Sequence, residues 1–157
     1  MRPALATCLV LLLLAGSCLA AEGPSRPEYV DSLELICKPG AEATRLAVRG
    51  VRADVRSERL LEAAAKFSRA KRIFARTVHR IGAVPRPEED RETLARWFSA
   101  LDREKFYLGR MIATLRKEDV PGFQRVTAKF VHEGNRANNV VISFEFDYCS
   151  FRPSRFQ

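Results

Sequence analysis

The sequence predicts an all-α fold: an antiparallel four-helix up-down bundle with a kinked first helix and an extended aromatic C-terminal tail stapled by one disulfide. Three features predict it. Apolar residues recur at three- and four-residue steps in four successive stretches. Each stretch is set off by a cap or turn signal, and short connections favour antiparallel neighbours. Once a leader-like segment is set aside, two cysteines remain, Cys37 near the start and Cys149 near the end.

Residues 1–20 carry one early Arg, an apolar run and then small residues, the pattern of a secretory signal peptide. The run is shorter than the roughly 20 apolar residues a membrane span requires. Cleavage after Ala20 follows a small-x-small rule through Cys18 and Ala20. In a second reading, Ala15-Gly16-Ser17-Cys18 is a lipobox and Cys18 is lipidated, but the usual Leu three places before the cysteine is missing. Residues 21–157 then form a single helical-bundle domain, long enough for one core and too short for two. Cys8 and Cys18 fall in the leader, so Cys37 and Cys149 are expected to pair in an oxidising compartment. A reactive thiol or a metal ligand would need a C-x-x-C partner or an adjacent histidine, and neither cysteine has one.

Ser25 and Glu28 form a capping box, with Pro27 tolerated in the first turn. The stripe behind them runs through Leu33, Ile36, Cys37, Ala41, Thr44, Val48, Val51 and Val55, with Pro39 expected to kink it. Ser57 is the expected cap of a second helix bearing Leu60, Ala64, Phe67, Phe74, Val78 and Ile81, with Lys71 in its seam. Gly82 ends that helix, and Ala83-Val84-Pro85-Arg86-Pro87 is a loop. Pro87 opens a third helix whose first turns carry Glu88, Glu89, Asp90 and Glu92, favoured at the positive end of the helix dipole. Its inward residues are Leu94, Trp97, Phe98, Leu101, Leu108, Ile112 and Leu115. Asp119, Pro121 and Gly122 mark the next turn and cap, followed by Phe123, Val126, Phe130, Gly134, Ala137, Val141 and Phe144. Residues 139–148 alternate like a strand, but a lone strand would leave its backbone groups unpaired. Helix to about Glu145 is therefore expected, with Phe146, Tyr148, Phe151 and Phe156 folding over the bundle end as a lid.

Glu28-Tyr29-Val30 ahead of Ile36-Cys37, together with Ala137-Asn138-Asn139-Val140, Phe144-Glu145-Phe146-Asp147-Tyr148-Cys149 and Pro153-Ser154-Arg155-Phe156, resemble motifs of small secreted or lipid-anchored helical proteins of high-GC Gram-positive bacteria. The resemblance covers essentially the whole chain after the leader. It implies a helical fold and an extracytoplasmic place, and it carries over no catalytic residue.

Without Arg2 the chain has 26 basic and 19 acidic side chains. Arg45, Arg49, Arg52 and Arg56 fall on one face of the first helix, and Lys66, Arg69, Arg72 or Lys71, Arg76 and Arg80 on one face of the second. Side by side, the rows would make a cationic face suited to an anionic cell-wall polymer, a phospholipid surface or another envelope protein. The plainer reading is that amphipathic helices turn their charges to water. Nucleic acid is not expected, because no aromatics interleave the rows and no nucleic-acid motif occurs.

No cofactor and no catalytic constellation is expected. His79 and His132 lie on different helices without zinc or triad spacing, although a core site with Met111 is conceivable in a helical bundle. Glu88-Glu89-Asp90 lacks the spacing of a calcium loop. Asn138 and Asn139 interrupt an apolar stripe. They are expected to satisfy free backbone groups near Pro39 or the helix end; the alternative is a polar pocket of Asn138, His132 and Asn135. The sequence thus predicts a secreted, non-enzymatic binding or interaction module with a basic face. A carrier of a small ligand, metal or haem in the bundle core is the alternative.

Overall fold

The structure is a computed structural model that describes residues 23–150. The signal-peptide reading, Cys18, Phe151 and Phe156 lie outside the described residues. Among these residues the order is α1 (Arg26–Ala47), α2 (Val51–Arg56), α3 (Leu60–Gly82), α4 (Arg91–Arg116) and α5 (Val120–Val140), with single 3-10 turns at Glu88–Asp90 and Ile142–Phe144. The described residues contain no strand, and the fold is all-helical.

At the start of α1, the Glu28 carboxylate accepts the Ser25 backbone N–H at 2.9 Å and the Ser25 hydroxyl at 2.6 Å. The first helix is bent, and α1 and α2 are its two arms. Helix continues through Pro39, whose ring removes only the hydrogen bond to the Leu35 carbonyl. The break comes at Gly50, where φ is +77°, a left-handed conformation that costs glycine little. Gly40 matters for a different reason. A methyl there would collide with the Thr77 side chain, so its absence lets α1 and α3 approach closely.

Helix α3 begins at Leu60, not at the expected cap Ser57, which instead closes α2. Glu58 takes a left-handed φ of 57°, and the Arg59 N–H returns to the Asp54 carbonyl at 2.8 Å, so the turn consumes the residues that would have begun the helix. Before α4, Asp90 is buried and accepts Arg26 Nε at 2.8 Å and Nη2 at 2.6 Å, tying that helix start to α1. The Asp119 carboxylate caps α5 through the Gly122 N–H at 2.8 Å.

Helix α5 stops at Val140 rather than near Glu145. A 3-10 turn follows, and Glu145 at φ 54° turns the chain so that Phe144 and Phe146 both enter the core. Phe146 stacks on Trp97 at 5.3 Å and on Phe144 at 5.5 Å. Burying these two rings outweighs one more helical turn, because each aromatic removes a large apolar area from water. Cys37 and Cys149 form the expected disulfide, with Cα atoms 5.1 Å apart.

Helix α3 packs on α1, α2 and α4, and α4 packs on α5. One core cluster joins Tyr29, Leu33, Ile81, Leu94, Trp97 and Phe146 at the disulfide end. A second joins Leu60, Ala64, Leu108, Met111, Leu115 and Phe123 toward the other end. The first helix makes its main helix contacts with α3 rather than with α5, and a cavity lies between them.

Candidate functional site

That cavity has a volume of about 500 Å³ and is bounded by α1, α2, α3, α4 and α5. Its walls are chiefly apolar: Val48, Val51, Phe67, Leu108, Met111 and Phe123 are among them. The polar exceptions are few. Thr127 directs its hydroxyl to the Phe123 carbonyl at 2.8 Å, so its hydrogen bond is made within α5. Arg52 and Arg56 are the two charged residues contributed by α2.

Glu104 is the anomaly. Only 2% of it is exposed, and its Oε1 has no hydrogen-bond partner. Burial, and then the Glu133 carboxylate, push its pKa up to about 8, so it is mainly protonated at neutral pH. Glu133 is itself buried and accepts Arg103 Nε at 2.8 Å. A smaller space of about 110 Å³ shares Thr44, Phe74 and Glu104 with the main cavity and reaches the disulfide and Asn138. Glu104 therefore stands on the wall between the two.

The position of Arg52 and Arg56 follows from Asp54. This residue is 6% exposed and accepts Arg59 Nη2 at 2.8 Å and the Lys66 ammonium, which fastens α2 to α3. The hydrogen bonds from Lys66 and Arg59 hold its carboxyl below the usual carboxylate range. Residues two positions away in a helix point to nearly the opposite side. With Asp54 turned onto α3, Arg52 and Arg56 turn away from it.

Arg45, Arg49, Arg52, Arg56, Arg69, Arg72, Arg76 and Arg80 are all exposed, and none enters a salt bridge among the described residues. They do not all serve one surface feature: Arg52 and Arg56 border the cavity, whereas Arg72 borders a groove between α3 and α4 with Arg116. Lys66 leaves the row because Asp54 holds it, and Lys71 is half-buried beside Gly109.

The conceivable core site of His79, His132 and Met111 is not assembled. Both histidines are exposed, whereas Met111 is buried in the cavity wall. Among the described residues no group of three or more His, Cys, Asp or Glu side chains is placed to hold a metal ion. The polar pocket of Asn138, His132 and Asn135 is not formed either, since Asn135 and His132 face solvent on α5 and only Asn138 borders the smaller space.

Glu104 and Glu133 are not among the residues expected from the sequence. The signal for Glu104 is present: it interrupts the stripe Leu101, Leu108, Met111 and Leu115 at the spacing of an inward residue. No helix among the described residues is long and apolar enough to cross a membrane. Comparison with protein-family models, with curated proteins and with solved structures gave no match.

Proposed function

We propose that this protein is a binding module that carries a small apolar or amphiphilic molecule inside its helical bundle, outside the cytoplasm. One observation carries the reading: an apolar cavity of about 500 Å³ with a buried carboxyl of unmet hydrogen-bonding capacity on its wall. Small-molecule sites usually have roughly 300–1,000 Å³ and a few convergent polar groups in apolar surroundings. The leader-like residues 1–20 and the cysteine pair support an extracytoplasmic place, because disulfides persist in oxidising compartments. Short connections support an antiparallel up-down order of the helices around the cavity.

Titration with diphenylhexatriene, a neutral probe that fluoresces in apolar surroundings, tests the reading. One saturable site per chain is expected. Thr127→Phe places a ring in the cavity and should weaken the probe by about fivefold or more without changing the helical circular dichroism. A protein that shows no saturable uptake is not a carrier of this kind.

A second reading draws on the eight exposed arginines, none of which enters a salt bridge among the described residues. They suit an anionic polymer or phospholipid surface, to which the loaded protein would attach.

A further inference from the structure

The carrier reading leaves open what class of molecule the cavity takes, and the order of charges along its depth answers this. Arg52 and Arg56 are one helical turn apart on α2, exposed, and without ion pairs among the described residues. Toward the interior the walls turn apolar through Val55, Phe67, Leu108 and Met111. On the same buried wall, as little exposed as Met111, stands Glu104, with the Glu133 carboxylate near enough to raise its pKa. The site is cationic where it meets water and acidic where it is dry.

A molecule with one charged group and one apolar chain fits this gradient in one way. An anion entering first would lose its water between apolar walls that carry, among the described residues, no cation beyond Arg52 and Arg56, with the charged Glu133 carboxylate close to Glu104. A cationic head left at the entrance would face two guanidinium groups. An anionic head left at the entrance keeps part of its hydration and gains charge-assisted hydrogen bonds from both arginines, whose planar forks match carboxylate and phosphate oxygens. Glu104, neutral at physiological pH, tolerates an apolar chain beside it better than a carboxylate would.

We propose that the cavity binds an anion-headed single-chain amphiphile, a carboxylate or phosphate monoester, with its head on Arg52 and Arg56 and its chain directed inward past Leu108 and Met111 toward Glu104. This rests on the carrier reading, and it adds the orientation and the charge of the ligand.

The test uses the full disulfide-bonded chain and displacement of diphenylhexatriene by dodecanoate, dodecyl phosphate, dodecanol and dodecylammonium, each below its micellar concentration. The two anions should bind about tenfold more tightly than the alcohol at low salt, and the advantage should shrink as salt rises. Arg52→Gln combined with Arg56→Gln should remove that advantage and leave the alcohol unchanged. Arg110→Gln combined with Arg125→Gln removes the same net charge from exposed sites on α4 and α5 and should leave all four ligands alike within about twofold. Equal losses in both double variants would mean that net charge alone attracts the anions, which overturns the assignment. Equal binding of alcohol and anions overturns it as well. Preferred binding of the ammonium, lost in Glu104→Gln, would reverse the orientation and also overturn it. In those three outcomes the cavity still holds a ligand; if none of the four displaces the probe, the carrier reading itself fails.

Discussion

Glu34 accepts the backbone N–H of Tyr148 at 2.9 Å, one helical turn ahead of the cysteine that binds Cys149. The same carboxylate takes the N–H of Asp147 at 2.8 Å and that of Cys149 at 3.4 Å. The segment after α5 is thus fastened to α1 twice, once covalently and once through a carboxylate that collects backbone donors. Irregular backbone of this kind needs such partners, because no ladder or helix supplies them.

The covalent fastening predicts that protein lacking residues 1–20 contains no free thiol when titrated unfolded and unreduced. Cys37→Ser combined with Cys149→Ser should lower the melting temperature markedly. The chain-entropy model gives about 4.7 kcal/mol as an upper figure for a loop of roughly this length. Two reactive thiols per chain would rule the staple out.

The carboxylate predicts a more local effect. Glu34→Ala should speed hydrogen exchange at the amides of Asp147 and Tyr148 while the disulfide still forms, at a cost of about 1 kcal/mol in global stability. Unchanged exchange at these amides would show that the disulfide alone orders the segment.

Glu58 and Glu118 both follow a helix in left-handed conformation, at φ 57° and 56°, and both are exposed. A side chain in that region costs about 1 kcal/mol that glycine avoids. Glu118→Gly should therefore raise stability by up to about 1 kcal/mol in denaturant titration, even though glycine loosens the unfolded chain. A loss of stability would mean that the Glu118 side chain makes a compensating interaction.

Much of this fold is written locally. Ser25 with Glu28, and Asp119 with Gly122, mark helix starts within a few residues of chain, and the structure has both. The start of α3 is harder to read because its turn uses Glu58 in a conformation that usually announces itself through glycine. The end of α5 is not local at all: it is decided by Trp97, some fifty residues away in sequence, which offers Phe146 a stacking partner. The arginine rows are legible as exposed faces, yet their relation to the cavity is not. A void depends on how far α1 and α2 stand from α5, which no short stretch of sequence specifies. Glu104 is legible as a charge within an apolar stripe, and only the space beside it shows why it matters.

The basic rows give a prediction about surfaces. Arg49→Glu combined with Arg52→Glu should weaken retention on anionic vesicles or purified cell-wall polymer, with wild-type binding itself falling steeply between about 50 and 200 mM salt. The control must avoid Arg103, because reversing it would leave the buried Glu133 without its partner at 2.8 Å. Arg110→Glu with Arg125→Glu changes net charge equally. Equal weakening by both pairs would mean that overall charge, rather than the faces of α1 and α2, governs attachment.

Glu104 makes stability depend on pH with a definite sign. Its ordinary pKa is 4.5 and the folded value is about 8, so below about pH 4.5 both folded and unfolded chains hold the proton and the group contributes nothing to the pH dependence. Between those values the unfolded chain has released the proton while the folded chain keeps it. Stability therefore falls as pH rises, and it levels off above about 8. The loss amounts to a few kcal/mol at most, since a tenfold difference in proton affinity between the two states corresponds to about 1.4 kcal/mol. Glu104→Gln cannot ionise, so its melting temperature should match wild type near pH 4.5 and exceed it by roughly 5–10 °C at pH 8.5, measured on ligand-free protein in one buffer series. Saturation with dodecanoate should raise both melting temperatures through mass action without altering the difference between them, provided the head of the ligand stays on Arg52 and Arg56. A wild-type curve parallel to that of Glu104→Gln from pH 5 to 8 would mean that the carboxyl has a partner in solution, and its place as the dry, acidic end of the cavity would be lost.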